Sequence, residues 1–373
     1  MIRVLYDYKI WSKQRYGGIS RYYYEIIKRN TENFSVMADV CAGFFYNDYG
    51  LDKLSNRCLK VFGTKLSEAP KNKMIKKFVN ATNITFFSSW MVLQGSQYDV
   101  YHPTYYAKGN RRFKGRQVVT VYDMVHELYP HLFSEEDPTS QAKRRTVEQS
   151  DWIITISETT KRDLVNIFDI DPYKIQVIHL ANSLLYKASE EEEAILNKPY
   201  ILFVGNRKGY KNFSNFIRAY TNSSKLSKDF CIVAFGGETL TNEEKNLFEE
   251  LKINDRVHHL YGDDRIANNL YKNAACLIYP SFYEGFGIPP LEAMYHGCPV
   301  VASNVSSIPE VVGDAAFLFS PGDNEEMLYA LEKVLYDEVL KSSLRKKGYQ
   351  REKNFSWDRC AQETFHVYQR LSV

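Results

Sequence analysis

Tyr279-Pro-Ser-Phe-Tyr-Glu284-Gly-Phe-Gly-Ile-Pro-Pro-Leu-Glu292-Ala-Met294 begins at the last residue of the apolar run Cys276 to Tyr279. A β-rich run, a turn carrying Gly285 and Gly287, and a segment with prolines near its first position together spell strand, loop and helix. Glycines let a backbone approach an anion closely, and the helix N-terminus beyond adds favourable partial charge. Gly285, Phe286, Gly287 and Ile288 are therefore candidate backbone contacts to a phosphate. Glu284 and Glu292, as ionised acceptors, suit the paired hydroxyls that a sugar or a ribose presents.

The same grammar recurs outward from this joint. Ile2 to Tyr6, Val118 to Tyr122, Trp152 to Ile156, Tyr200 to Val204, Cys231 to Phe235 and Val300 to Ser303 are short apolar runs separated by helical patterns. Runs that are apolar throughout, rather than alternating, predict strands covered on both faces, the mark of a doubly wound parallel α/β fold. Thr241 with Glu244 and Asp323 with Glu326 have capping-box spacing, Ser157 and Asp263 stand where helices begin, and Gly297 and Gly348 where they stop.

At 373 residues the chain exceeds a single ordinary core, so two domains are expected. The acidic run Glu190 to Glu193 followed by Pro199 marks the break, giving an N-terminal domain 1–183 and a second domain 184–355. The amphipathic stretch Trp357 to Leu371, with Cys360, Phe365, Tyr368 and Leu371 on one face, predicts a final helix, 356–373, that returns to complete the first domain. Ligands of parallel sheets bind outside the strands' carboxyl ends, so two such domains facing one another would enclose a cleft.

Other candidates lie at strand ends. Arg207 and Lys211 follow the run Tyr200 to Val204; a bidentate guanidinium and a mobile ammonium suit a departing diphosphate, while Asn212 reads as the cap of the next helix. Gly17-Gly18 follows the first run and opens a helix, and Gly236-Gly237 follows Cys231 to Phe235, either as an ordinary turn or as a wall of the ligand pocket. Asp123 and His126 follow Val118 to Tyr122; His126 and His102 read equally as site residues or as satisfied structural histidines.

A net charge of +3 gives no case for nucleic acid. Six dispersed cysteines without a C-x-x-C pair fit a reducing cytoplasm, the N-terminus has no secretory apolar region, no apolar stretch is long enough to span a membrane, and no metal-ligand spacing occurs. Two basic clusters, Lys71 to Lys77 around Met74, Ile75 and Phe78, and Lys108 to Arg116, are either solvated faces or a hold on anionic lipid at the inner face of the cytoplasmic membrane.

The EGFG-x-P-x-x-E pattern, with seven residues between Glu284 and Glu292, resembles the signature of family 4 retaining glycosyltransferases of GT-B fold. That resemblance implies that Glu284 lies near the donor sugar, Glu292 holds the nucleotide ribose, and Arg207 and Lys211 bind the diphosphate, with no metal and no cofactor beyond a GDP- or UDP-linked donor. It implies a C-terminal donor domain and an N-terminal acceptor domain whose glycine loop is Gly17-Gly18. The family's usual His before Asp is here Tyr122 before Asp123, with His126 one helical turn on. Gly-Gly-Ile-Ser-Arg-Tyr at 17–22 resembles bacterial surface-polysaccharide enzymes, some of them mannosyltransferases. The expected activity is hexose transfer, mannose first, from a nucleotide sugar to a saccharide or lipid-linked saccharide acceptor in polysaccharide, O-antigen or lipopolysaccharide biosynthesis. A GT-B nucleotide-sugar 2-epimerase and a non-catalytic sugar-binding relative are the alternatives.

Overall fold

The computed structural model describes residues 1–54, 56–106, 113–182, 184 and 193–372. Lys108, Arg111 and Arg112 of the second basic cluster, and most of the acidic run taken to mark the domain break, lie outside the described residues. Two compact units emerge: Met1–Leu180 with Ser356–Val373, and Ala181–Phe355.

The first unit is built on a seven-stranded parallel sheet of β1 (Ile2–Tyr6), β2 (Val36–Phe45), β3 (Leu59–Lys65), β4 (Val100–His102), β5 (Arg116–Val121), β6 (Trp152–Thr155) and β7 (Ile175–Val177), in the order β3-β2-β1-β4-β5-β6-β7. Val4 pairs with Ala38 on one side and Val100 on the other, and all three side chains are fully buried. Leu5, which points to the opposite face, is fully buried as well, so both faces of the strand are covered and Val4 to Tyr6 read as an apolar run after Arg3.

The second unit holds six parallel strands, β8 (Tyr200–Val204), β9 (Cys231–Phe235), β10 (Val257–Leu260), β11 (Cys276–Tyr279), β12 (Val300–Ser303) and β13 (Ala316–Phe319), ordered β10-β9-β8-β11-β12-β13. The chain winds outward from β8 to β10, then returns to the other side of β8 and winds away through β13. Loops leaving β8 and β11 diverge at this reversal, where a parallel sheet leaves a crevice for a ligand.

Helix punctuation follows the sequence except at Glu326, at Gly348 and at Asn212, whose side chain makes no cap hydrogen bond. Thr241 and Glu244 form a reciprocal capping box, and Asp263, Ser157 and Asp323 each cap a helix through their side chains. The second half of the Asp323 box is not made, because Glu326 instead accepts from Ser320 N–H at 3.0 Å. Gly297 ends helix Ile288–Tyr295 at φ +68°, but Gly348 lies inside helix Glu338–Glu352, where a Cβ would come within 3.1 Å of Met294 Cγ. Gly348 is a close-packing point and not a stop.

Helix Trp357–Leu371 belongs to the first unit. It packs on helix Gly18–Asn33: Phe365 stacks on Phe34, Trp357 sits against Tyr22, and Arg29 Nε meets Asp358 Oδ1 at 2.7 Å. Its buried seam runs through Trp357, Cys360, Ala361, Thr364, Val367 and Tyr368, displaced from the predicted face because Phe365 and Leu371 are only half-buried.

Candidate functional site

Two loops meet at the reversal point of the second unit. The loop after β8 carries a single 3-10 turn, Gly209–Lys211, and the loop after β11 carries residues 280–287. Phe282 N–H donates to Tyr210 O at 2.8 Å, and the Asn212 side-chain amide donates to Pro280 O at 3.0 Å and Pro321 O at 2.8 Å. Asn212 therefore clips loops together from a left-handed backbone (φ +60°); its side chain caps no helix N–H.

This clip brings Lys211 and Glu284 together. Lys211 Nζ lies 2.7 and 2.9 Å from the two carboxylate oxygens of Glu284, and Ser281 Oγ donates to Oε1 at 2.6 Å. Glu284 is 9% exposed and Lys211 is half-buried, so water screens the pair weakly. The Tyr279 phenol beneath is held well above its ordinary pKa, first by burial and then by the Glu284 charge, and stays neutral. A carboxylate pinned in place, with an ammonium on its rim, can accept sugar hydroxyls while sharing its cation with an arriving phosphate.

The glycine loop is shaped by serines. Ser306, at φ +60°, accepts from Glu284 N–H at 3.1 Å and donates to Glu284 O, while Ser307 Oγ lies 2.7 Å from both Glu284 O and Phe286 O. Gly287 adopts φ +125° immediately before helix Ile288–Tyr295, a backbone that L residues rarely adopt. Pro289 and Pro290 lack N–H groups, so donors near this helix start must come from the loop and Ile288 more than from the first turn. The Phe286 ring is buried edge-on to Phe355 at 5.7 Å; only its backbone remains a candidate ligand. One turn into the helix, Glu292 Oε2 accepts from Tyr271 OH at 2.8 Å, and the Tyr271 ring stacks on His296.

Two expectations need correction. Arg207 is not presented for a phosphate: its guanidinium is buried, with Nε 2.8 Å from Glu244 Oε1, Nη1 2.9 Å from Gly236 O and Nη2 2.6 Å from Glu238 O. It ties the β8 loop to the β9 loop. Gly236 is likewise committed, since its N–H donates to Leu260 O at 2.9 Å and its carbonyl takes Arg207 and His259. At φ +86° it forms a strand-end turn and offers no N–H to an anion.

In the first unit, Gly17 and Gly18 open helix Gly18–Asn33, but the Gln14 amide oxygen already accepts from Ser20 N–H at 3.1 Å and Tyr49 OH from Gly17 N–H at 3.1 Å. Asp123 follows β5; the buried Lys143 ammonium donates to Asp123 O at 2.8 Å, sits 3.7 Å from its carboxylate and meets Glu127 at 2.6 Å. His126 stacks on Phe133 at 3.9 Å with Nε2 3.8 Å from Asp137, and burial, then Lys143, lowers its pKa. Tyr122 turns its ring inward against Tyr22 and Tyr106. His102 is structural: fully buried, bonded to Tyr368 OH at 2.7 Å and Thr120 Oγ1 at 2.9 Å, with burial pushing its pKa down to about 3.

The residues missed from sequence are Ser281, Ser306, Ser307, Tyr279 and Lys143. Serines are common in loops, and only the Ser-Ser-Ile-Pro run after β12, at 306–309, hinted at a built turn.

Residues 187–351 match the family of glycosyl transferases group 1. The chain is 27% identical over 300 residues to O-antigen chain mannosyltransferase B of Escherichia coli, covering 76% of this chain and 77% of that one. It is 28% identical over 224 residues to O-antigen chain mannosyltransferase RfbU of Salmonella typhimurium, covering 58% and 60%. The crystal structure of Anabaena HepE in complex with UDP-glucose superposes with a TM-score of 0.74 at 16% identity, over the whole of both chains. With its group 1 domain at 187–351 and two parallel α/β units, the chain is a glycosyltransferase of the GT-B fold.

Proposed function

We propose that the enzyme transfers a hexose, mannose first, from a nucleotide sugar to a saccharide hydroxyl with retention of configuration, in the assembly of a bacterial surface polysaccharide such as an O-antigen. The Lys211–Glu284 pair at the reversal point of the second sheet carries this reading. Likeness to two O-antigen mannosyltransferases favours mannose, and the GT-B likeness to a protein crystallised with UDP-glucose favours a nucleotide-linked donor.

In this reading the second unit binds the donor. Lys211 and the backbone of 285–288 stabilise charge that grows on the leaving diphosphate, in a setting organised before the reaction begins. Glu284 accepts hydrogen bonds from the transferred sugar, and Glu292, steadied by Tyr271, reads the ribose. The first unit, with Asp123 and His126, receives the acceptor. No described helix is long and apolar enough to cross a membrane; the enzyme works at the cytoplasmic side, peripheral to the membrane, on a lipid-linked acceptor.

A thermal-shift screen of GDP- and UDP-sugars tests the donor: a ligand at 100 times its Kd adds about 2.7 kcal/mol of stability. Stabilisation by no nucleotide sugar would count against the reading. The positive charge at the diphosphate is supplied here by Lys211, so transfer is expected to continue in excess EDTA; activity restored only by one divalent ion would contradict it. Product anomeric configuration, read by NMR, is expected to match the donor's, and donor isomerised without any acceptor would point to an epimerase.

A further inference from the structure

Helix Lys73–Gln94 buries only Asn83, Phe87 and Met91 along its 22 residues. At about 100° per residue, Lys73, Lys76 and Lys77 fall on the same arc as those three. The first turns therefore aim their lysines at the body of the unit, while Met74, Ile75 and Phe78 face away from it, exposed. An amphipathic helix ordinarily does the reverse. Under the lysines lies a cavity of about 450 Å³, whose other side is the segment after β1, with Lys9 and Lys13. Tyr46, the residue after β2, closes part of its wall, so the cavity stands beyond the carboxyl ends of two neighbouring strands, where parallel sheets take their ligands. Five ammonium groups share this space, and none of the lining residues among those described is acidic. Lys13 lies 4.1 Å from the Tyr105 ring centre and Lys9 Nζ donates to Tyr106 O at 3.4 Å, so two of the five are held by the body of the unit.

A run of lysines on an outward face is satisfied by solvent, but lysines turned inward around a cavity repel one another until an anion enters. The Lys13 ammonium is held below its ordinary pKa, first by desolvation and then by the Lys9 charge, and Asp7 nearby is committed to Thr104 N–H and the Tyr101 hydroxyl. No arginine lines the cavity, so it offers point charges and no guanidinium fork, which suits a tetrahedral, multiply charged phosphoryl group more than a planar carboxylate. Its volume exceeds one such group and leaves room for part of a sugar. Asp137, whose carboxylate stands 3.8 Å from His126 Nε2, also acts electrostatically on Lys13, which puts the cavity beside the residues that follow β5. We propose that this cavity binds a phosphoryl group carried by the acceptor, which makes the acceptor class a phosphorylated saccharide. The inference rests on the reading above that the first unit receives the acceptor.

Titration calorimetry on the full chain tests it, with mannobiose 1-phosphate, mannobiose and inorganic phosphate as probes. The phosphorylated disaccharide is expected to bind about tenfold or more tighter than either of the others, the worth of roughly one charge-assisted hydrogen bond, and to weaken with salt. Lys76→Gln with Lys77→Gln is expected to remove that preference and Lys76→Arg with Lys77→Arg to keep it; both side chains are exposed, and a thermal melt shows that each variant folds. Equal binding of the phosphorylated and neutral disaccharides, binding of neither, or glutamine variants that bind as the parent does would overturn the proposal. So would a preference lost in Lys211→Ala instead, which would put the phosphate in the second unit, or tighter binding of a uronate-terminated disaccharide, which would make the group a carboxylate. Inorganic phosphate bound as tightly as the phosphorylated disaccharide would leave an anion site without an acceptor and overturn it too. Nucleotide-sugar stabilisation measured on the same proteins keeps the two readings apart: where it persists and the phosphate preference is absent, only the acceptor class is lost.

Discussion

Lys211→Ala is expected to lower kcat by about 10²–10³, the loss typical when one preorganised donor to developing charge is removed. The ammonium touches both oxygens of Glu284 and stands at the strand ends where a diphosphate would leave. Removing it has a second effect, since it strands a carboxylate that is nearly buried. Glu284→Gln separates the two: it keeps an acceptor for Ser281, dispenses with the counter-charge, and should fold normally while transferring slowly. Steady-state kinetics with a thermal melt on each protein decide the matter. Turnover like the parent's in Lys211→Ala would remove the pair from the chemistry.

Arg207→Ala is expected to act on stability instead. Its side chain is 3% exposed and Glu244's is 11%, and the guanidinium also holds the carbonyls of Gly236 and Glu238. Breaking such a pair from one side costs about 3–5 kcal/mol, because the remaining charge and carbonyls lose their partner without regaining water. A fall in chemical-denaturation midpoint, with kcat per folded molecule within about tenfold of the parent, is the expected result. A folded Arg207→Ala with parental stability and no transfer would return Arg207 to the donor's phosphates. Arg207→Met, similar in length and apolar, should recover only part of the loss, since Glu244 would still lie beside it uncompensated.

The contrast between these two cations explains what the sequence could and could not reveal. It placed both after the same strand, but side-chain direction depends on partners far along the chain: Glu284 for one, and Glu244, in the first turn of helix Asn242–Glu250, for the other. Strands buried on both faces, such as β8, β9 and β11, were legible with their bounds because an unbroken apolar run has few other uses. The three-residue strands β4 and β7 are too short to show a pattern, β10 is half histidine, and edge strand β3 is largely exposed. Glu284 and Lys211 were nameable from motif and position, whereas the Ser306 and Ser307 hydroxyls that set the loop depend on the turn after β12 passing close to the turn after β11. Tyr122 stood out as a departure, but only the structure shows its ring packed into a tyrosine cluster.

The helix Trp357–Leu371 has a consequence for how the protein is made. Its residues emerge from the ribosome only after all of Ala181–Phe355 has been translated, yet they cover Tyr6, Tyr22 and His102 in the first unit. At roughly 5–20 residues per second, the nascent first sheet waits on the order of ten seconds for the segment that seals it. The second unit is contiguous in sequence and faces no such delay, so it is expected to be the first part of the chain to finish folding during synthesis.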